Sequence, residues 1–321
     1  MRVTVLAGGH GGAKFLMGLR DRPDVEVSAV VNTADDLVVH GLTVCPDLDT
    51  VMYGLGGGLD GERGWGRIDE SFRANEDLAA YGMPHTWFGL GDRDIATHLV
   101  RSQMLGAGYR LTDVTAALAE RWRPGVTILP MSDDRVETHV VVADEEGRRA
   151  IHFQEWWVRH RAQIPATEFV QVGADAARPT PEVLAALAEA DVVLVAPSNP
   201  VVSVGAILAV PGIREALTTT AAPVVGISPL IAGRAVRGMA EQCLAAVGVP
   251  CSAAGVAAHY GARRSEGLLD GWLVAPEDAS VLPELTDLGI EAAAVPLLMS
   301  DPGDARRLAD SALAVAQRVR G

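Results

Sequence analysis

Cysteine is scarce in this chain, which has three among its 321 residues. Cys45, Cys243 and Cys251 are too few for a disulfide framework and too irregularly spaced for a CxxC metal clip. We therefore expect them to be small buried apolar residues. Long apolar runs are also missing: no stretch of about 18 apolar residues suggests a membrane span, and the N-terminal run is too short for a secretory signal. The sequence therefore predicts a cytoplasmic protein that does not enter a membrane.

Positive charge is the second shortage. The sequence has 41 acidic residues against 27 basic ones, which gives a formal net charge of −14. This excess repels phosphate backbones and anionic membranes, so neither nucleic acid nor a membrane is an expected partner. The 49% of hydrophobic residues is enough to build a large core, which excludes disorder. Lys14 is the single lysine, and either a specific role as a compact cation or chance explains its place in a glycine-rich loop.

Strand-like and helix-like segments alternate along the chain. Residues 2–7 and 25–31 read as two strands that enclose a glycine-rich turn and a helix, which is a βαβ unit. Residues 192–196 are wholly apolar, as in a strand that helices cover on both faces. This pattern predicts an α/β, Rossmann-like, doubly wound fold with a mostly parallel sheet. Within a single domain of residues 1–321, we expect a helical insertion at 59–123 and a β-hairpin whose strands, 138–143 and 149–154, are joined by a turn at 144–147.

The glycine-rich loop Gly8–Lys14 leads from the first strand into the first helix. Backbone N–H groups and the helix dipole form an anion site at such a junction. The spacing fits neither a Walker A loop nor a dinucleotide fingerprint. We interpret Gly9, Gly11, Gly12 and Lys14 as phosphate contacts. The alternative is a tight strand-to-helix turn without a ligand.

Acidic residues gather at the ends of the first two strands and in the loop that follows. Asn32, Asp35, Asp36, Asp47 and Asp49 lie close together in the sequence. Converging carboxylates repel one another unless a cation is present, and oxygen ligands favour Mg²⁺ over zinc. Capping of the helix that begins near Thr50 explains one of these acids but hardly all of them. The cluster therefore predicts a magnesium site suited to phosphoryl transfer.

Polar loops follow several other predicted strands. Trp87–Asp94 joins two aromatic residues to an acidic turn, which suits a flat heteroaromatic ligand; an aromatic core pair and helix capping are the alternatives. Asp133 follows the strand at 126–129, and Ser198 and Asn199 follow the strand at 192–196. Because ligands of open α/β sheets bind outside the carboxyl ends of the strands, these loops predict one shared crevice.

Five motifs in this order resemble the 2-phospho-L-lactate transferase family of coenzyme F420 biosynthesis, and the likeness extends over most of the chain. The motifs are Gly8–Lys14, Cys45–Thr50, Trp87–Asp94, Leu129–Asp133 and Ala196–Pro200. The segments at 152–159 and 259–264 resemble the actinobacterial branch of that family.

This resemblance implies a Mg²⁺-dependent phosphotransferase for substituted phosphate groups, with a Rossmann-like fold and a homodimeric assembly. The donor would be a guanosine diphosphate derivative of a three-carbon acid, and the acceptor would be the deazaflavin Fo. The ribityl hydroxyl of Fo would attack the phosphorus that bears the acid, GMP would leave, and (dehydro-)coenzyme F420-0 would form. The residues do not distinguish a lactyl from an enolpyruvyl donor, and the actinobacterial likeness favours enolpyruvyl.

By position in the family motifs, Asp49 would contact the deazaflavin or its metal. Archaeal members carry a lysine where this sequence has Gly89, so a backbone group or another cation would replace that contact. Our hypothesis assigns catalysis to Asp49 and Asp36, and the metal to Asp36, Asp47 and Asp49. It assigns phosphate and nucleotide binding to Gly9, Gly11, Gly12, Lys14, Ser198 and Asn199, and deazaflavin binding to Asp49, Trp87, Gly89, Asp92 and Asp133.

Two other readings remain open. One is a nucleotide-binding regulatory protein of the same fold, which needs the glycine loop but not the acidic cluster. The other is a dinucleotide oxidoreductase, which the glycine spacing disfavours.

Overall fold

The computed structural model describes residues 1–144 and 147–320, in which strands and helices alternate. The strands are β1 (Arg2–Ala7), β2 (Glu26–Val31), β3 (Leu37–Val39), β4 (Leu42–Val44), β5 (Thr127–Pro130), β6 (Glu137–Asp144), β7 (Gly147–His152), β8 (Ala166–Val172), β9 (Val192–Val195), β10 (Val224–Ile227), β11 (Leu230–Ile231), β12 (Arg234–Ala235), β13 (Gly271–Val274) and β14 (Glu291–Ala294). The α-helices are α1 (Gly9–Met17), α2 (Pro46–Leu55), α3 (Arg73–Ala80), α4 (Asp92–Gly106), α5 (Leu111–Trp122), α6 (Pro181–Ala188), α7 (Val204–Ala209), α8 (Ile213–Thr219), α9 (Ala240–Ala246), α10 (Ala253–Tyr260), α11 (Leu282–Leu288) and α12 (Pro302–Arg320).

A seven-stranded sheet forms the centre of the fold, in the order β14-β13-β10-β9-β1-β2-β5. Every neighbouring pair in it is parallel. The predicted Rossmann-like α/β fold is therefore confirmed.

The strand order reverses at β1. The chain first adds β2 and β5 on one side of β1 and then crosses over to place β9 on the other side. A crevice opens outside the carboxyl ends of the strands at such a switch point, and this is where ligands of doubly wound folds bind. The loops that leave β1 and β9 therefore face each other across the expected binding position.

The sheet separates two apolar layers because the side chains of each strand alternate between its faces. On β1, Val5 points to the layer that contains Phe15 and Leu16 of α1. The next residue, Leu6, points to the opposite layer, which contains Ile207 of α7. Helices on both faces thus hold the central strands in place, and the wholly buried β9 fits the prediction made from its apolar sequence.

A three-stranded antiparallel sheet, in the order β7-β6-β8, lies beside the parallel one. Its β6–β7 pair is the predicted hairpin, with Asp144 opposite Gly147; residues 145 and 146 of the predicted turn lie outside the described residues. Residues 168–172, whose composition indicates a strand, are part of β8 and pair with β6 instead of joining the parallel sheet. Residues 234–235 form β12, and α9 begins at Ala240.

Residues 59–123, where the sequence predicts a helical insertion, contain α3, α4 and α5. Helix α5 packs against β5 and α2, while α4 packs against β4. Among the described residues, none of the helices has the length and apolar character required to span a bilayer.

Candidate functional site

A cavity of about 1010 Å³ opens at the switch point of the sheet. Its floor includes Gly8, Gly9 and Gly11 from the β1 loop and Pro197–Asn199 from the β9 loop. Segments far apart in the sequence complete the walls, among them the aromatic segment at 87–89 and the stretch at 235–240. The loops at 87–89 and 197–199 therefore share one cavity as predicted, whereas the loop with Asp133 lines a separate one.

The glycines of the first loop allow the two facing loops to touch. A Cβ atom on Gly11 would lie 2.6 Å from the carbonyl oxygen of Pro197, and one on Gly8 would lie 2.7 Å from Asp47 Oδ2. The hydroxyl of Ser198 accepts a hydrogen bond from the Gly8 N–H (3.0 Å) and donates one to the Gly8 carbonyl (2.8 Å). Close backbone approach therefore explains the glycines, and the contact leaves the N-terminus of α1 facing the cavity.

Two carboxylates, Asp35 and Asp47, line the cavity. Both are buried, with 5% and 7% of their surface exposed. The amide of Asn32 donates to Asp47 Oδ2 at 2.9 Å and also bonds the side chain of Asp35, so it links the two acids. Asp35 Oδ1 is buried, and none of the residues that the structure describes forms a hydrogen bond with it.

Burial dominates the electrostatics of this carboxylate pair. It raises the pKa of Asp47 to about 6, against the opposing hydrogen bonds from Asn32 and the Gly9 amide. Burial, followed by repulsion from Asp47, raises the pKa of Asp35 well above its usual range. An orphaned carboxylate oxygen beside a second acid is the environment that a divalent cation or a transferred proton relieves.

Cationic groups line the same cavity as the two acids. Lys14, in the last turn of α1, donates from Nζ to the Met299 carbonyl at 3.1 Å, and His10 follows directly after the first residue of that helix. Burial, then the charges of Lys14 and Arg237, lowers the pKa of His10 to about 4. The cavity therefore contains positive charge from Lys14 and Arg237 as well as the Asp35–Asp47 pair, of which Asp47 bonds the Gly9 N–H at the start of α1.

Aromatic rings form a further part of the wall. Trp87 packs edge-on against Phe88 with ring centroids 5.9 Å apart, and both line the cavity beside Gly89. Phe153 and Trp157 stack at an interplanar angle of 21°. These partly open rings can receive a planar ligand.

Asp49 does not line the cavity; it lies in a buried polar cluster between α2 and α4. Its Oδ2 accepts a hydrogen bond from Arg101 Nη1 at 3.0 Å, and its Oδ1 pairs with Arg101 Nη2. His98 adds a contact between its Nδ1 and Asp49 Oδ2 of 3.7 Å and one between its Nε2 and Asp94 Oδ2 of 3.3 Å. Both oxygens of Asp49 are thus engaged, and the structure gives this residue a role in holding α2 against α4.

Four further residues predicted to form the site lie outside the cavity. Asp92 accepts hydrogen bonds from Ser71 and from the Ala74 N–H in the first turn of α3. Asp133 accepts from the Thr112 N–H and hydroxyl at 2.8 Å each, in the first turn of α5. Gly12 is buried under Ser198, and Asp36 lines a separate cavity of about 200 Å³.

The predicted three-aspartate metal set of Asp36, Asp47 and Asp49 is not assembled. Over residues 1–144 and 147–320, no group of three or more His, Cys, Asp or Glu side chains is arranged to hold a metal ion. The reason is geometric: Asp47 faces the cavity, whereas Asp49 faces Arg101 and Asp36 the smaller cavity. Eight predicted residues do line the main cavity, namely Gly9, Gly11, Lys14, Asp47, Trp87, Gly89, Ser198 and Asn199.

Sequence reasoning named Asp35 in the acidic cluster but gave it no role, and it missed Arg63 and Arg237 as cavity residues. The signal for Asp35 was its place just after the end of β2, the edge of the sheet where the crevice was expected. Arg237 had no local signal, because its segment reaches the cavity only through tertiary packing.

These features define an α/β protein of the Rossmann type with a glycine-rich loop and a buried carboxylate pair at its switch point. A family model described as "2-phospho-L-lactate transferase CofD" matches residues 3–295, and the chain belongs to that family.

Two similar proteins support this assignment over the whole length of the chain. The "Phosphoenolpyruvate transferase" of Streptomyces avermitilis is 60% identical, with 100% of this chain and 99% of the relative covered. The protein of the same name from Thermobifida fusca is 58% identical, with the same coverage. A solved structure of a UPF0052 family member from Bacillus halodurans matches with a TM-score of 0.64 and 20% identity, covering 97% of this chain and 98% of that one. That likeness supports the fold alone.

Proposed function

We propose that this protein transfers an enolpyruvyl-phosphate or 2-phospho-L-lactyl group from its guanosine diphosphate derivative to the ribityl hydroxyl of the deazaflavin Fo. GMP is the leaving group and (dehydro-)coenzyme F420-0 is the product. The observation that carries the proposal is the composition of the cavity, where a buried carboxylate pair, cationic side chains and the N-terminus of α1 share one space of about 1010 Å³. Names of the actinobacterial relatives favour enolpyruvyl as the transferred group.

The donor diphosphate binds at the N-terminus of α1. Gly9, Gly11 and Lys14 line the cavity, and helix N-termini favour anions. Because the Gly9 N–H bonds Asp47, the Gly11 N–H and the ammonium of Lys14 are the donors for the phosphates. Ser198 and Asn199 support this region from the β9 loop. Ser198 holds Gly8, while the side-chain oxygen of Asn199 accepts bonds from two backbone N–H groups of its own turn.

Asp35 and Asp47 fit a Mg²⁺ ion. The fit rests on the unpartnered Asp35 Oδ1 and on the raised pKa values of both acids. Magnesium is commonly held by one or two carboxylates together with substrate phosphates, so two acids suffice where three were predicted. When bound, the ion would neutralise charge on the diphosphate. Asp36 and Asp49 have no part in this revised set.

The acceptor binds against the aromatic wall. Trp87 and the neighbouring Gly89 backbone offer a surface for the flat deazaflavin, and the wall also contains Trp157. The ribityl chain then leads toward the carboxylates, where Asp35 Oδ1 accepts a hydrogen bond from the attacking hydroxyl. Positioning of this kind supplies most of the rate in phosphoryl transfer, because little covalent help is needed. We further propose a homodimer in the cytoplasm.

The test is a product assay with Fo, Mg²⁺ and the enolpyruvyl donor, followed by chromatography and mass spectrometry. Wild type should form dehydro-F420-0 and GMP in equal amounts. Asp47→Asn should lose at least about 100-fold in turnover, in the range found when a positioned electrostatic group is removed. The control Asp175→Asn changes an exposed acid outside the cavity and should retain full activity. Binding of the donor with no GMP release would instead favour the regulatory, non-catalytic reading.

A further inference from the structure

Three permanently cationic side chains line the cavity: Lys14, Arg63 and Arg237. Arg63 forms an ion pair with Asp60 at 2.9 Å. Across the described ranges, neither Lys14 nor Arg237 forms an ion pair with a carboxylate, and Lys14, which donates to the Met299 carbonyl, belongs to the phosphate loop. Arg237 is therefore the cavity cation outside that loop whose charge no carboxylate offsets.

The position of Arg237 is fixed by the backbone opposite. Its Nη2 donates to the carbonyls of Glu62, at 3.3 Å, and of Arg63. A Cβ atom on Gly64 would lie 2.6 Å from the guanidinium carbon, so a glycine at 64 is what allows this approach. Both bonds use one terminal nitrogen. In the part of the chain that the structure describes, no residue bonds Nη1 or Nε of Arg237, and a guanidinium keeps further donors on those atoms.

Arg237 lines the same cavity as Gly9, His10 and Gly11 of the phosphate loop. Its charge, like that of Lys14, helps to lower the pKa of His10 at the start of α1. The guanidinium is therefore exposed to the space that holds the proposed donor diphosphate, on the segment between β12 and α9.

The chemistry of the donor places a carboxylate at that same end. In a phosphate ester of a 2-hydroxy or enol acid, the carboxylate carbon is joined to the phosphorus through one oxygen and one carbon. The carboxylate must then lie beside the phosphate that α1 binds. Leaving it without a cation in a partly enclosed cavity would carry a large desolvation cost.

We propose that Arg237 binds the carboxylate of the three-carbon group and so determines specificity for a carboxylated donor. The inference rests on the proposed transferase function and adds a residue that none of the five motifs contains. A guanidinium suits this role because its planar fork matches a carboxylate in a bidentate manner, which an ammonium cannot do. The bonds to the Glu62 and Arg63 carbonyls position the fork and can persist while the remaining nitrogens bind the ligand.

The experiment compares two donors, the enolpyruvyl or lactyl derivative of GDP and an analogue in which a neutral carboxamide replaces the carboxylate. We measure kcat/KM for each donor and the affinity of GDP, which lacks the acid, by calorimetry. Wild type should prefer the carboxylated donor by about 10- to 100-fold, as expected for a charge-assisted hydrogen-bonded pair. Arg237→Ala should reduce that preference to about threefold or less, with the KM for Fo unchanged and GDP affinity changed much less than donor affinity.

Arg234→Ala is the matched control, because Arg234 is exposed on the same segment and does not line the cavity. Arg237→Lys, which keeps the charge without the fork, should recover part of the preference and serves if the alanine variant does not fold. Undiminished preference in a folded Arg237→Ala protein would overturn this inference while leaving the transferase intact. Wild-type protein that transfers from neither donor would instead refute the proposed function.

Discussion

The buried carboxylate pair makes a prediction about stability as a function of pH. Burial raises the pKa of Asp47 from an ordinary 3.8 to about 6. Between these two values, the unfolded chain has already lost a proton that the folded protein still holds. Stability must therefore fall as pH rises through this window, since the unfolded state binds fewer protons than the folded one.

The size of the effect follows from the width of that window. A difference of about two pH units, at about 1.4 kcal/mol each, amounts to about 3 kcal/mol of stability lost by the time pH exceeds 6. Asp47→Asn removes the titrating group but keeps an oxygen that can accept the bond from Asn32, at the loss of about 1 kcal/mol of hydrogen bonding. We expect the variant to be about 2 kcal/mol more stable than wild type at pH 8, with a smaller gain or a loss at pH 4.

Urea denaturation followed by circular dichroism at pH 4, 5, 6, 7 and 8, without Mg²⁺, measures this difference. Asp175→Asn, at an exposed site, should follow the wild-type curve at every pH. If Asp47→Asn is less stable than wild type at pH 8, the ionised Asp47 carboxylate does not destabilise the folded protein, and the reasoning is refuted. A gain in stability together with a loss of turnover is the signature expected of a functional site.

Three further predictions concern the surroundings of the cavity. Asp49→Asn should cost about 3 kcal/mol in urea denaturation because it leaves the buried Arg101 without its counter-ion, whereas an unchanged unfolding midpoint would argue against the polar cluster. Gly11→Ala should weaken GDP binding by at least about tenfold in calorimetry, since its Cβ would lie 2.6 Å from the Pro197 carbonyl oxygen; equal affinity would place the diphosphate elsewhere. Trp87→Ala should raise the KM for Fo by about tenfold through lost ring contact and leave GDP affinity unchanged, and the reverse pattern would exchange the two ligand positions.

Local sequence predicted the fold because the determining signals are local. The apolar strands, the glycine-rich first turn and the acidic hairpin turn each indicate an element within about ten residues, and the alternation of elements indicates the doubly wound class. The strand at 168–172 shows the limit of this reasoning. The composition of this segment indicates a strand. Its pairing with β6 depends on tertiary contacts, so the segment's own sequence could not show which sheet it joins.

The site was harder to predict than the fold because it depends on where each side chain points, and residues close in sequence can point to different places. Asp47 and Asp49 are two positions apart in α2, which rotates their side chains by about 200° and sends them to opposite sides of the helix. Asp35 and Asp36 lie in the turn after β2, where the Asp36 N–H donates to the Thr33 carbonyl at 3.2 Å, and their side chains line different cavities. Arg101, whose guanidinium pairs with the Asp49 carboxylate, is 52 residues away along the chain. Patterns of residue types therefore located the acidic cluster but could not select its members.

The most direct test of the central claim follows an oxygen atom through the reaction. A donor labelled with oxygen-18 in the bridge between its two phosphorus atoms is incubated with Fo, Mg²⁺ and the protein, and both products are analysed by mass spectrometry. If the ribityl hydroxyl attacks the phosphorus bearing the three-carbon acid, all of the label leaves in GMP. Label released in the phosphate ester of the three-carbon acid, which attack on the other phosphorus would produce, or release of labelled GMP at the same rate without Fo, would contradict the account.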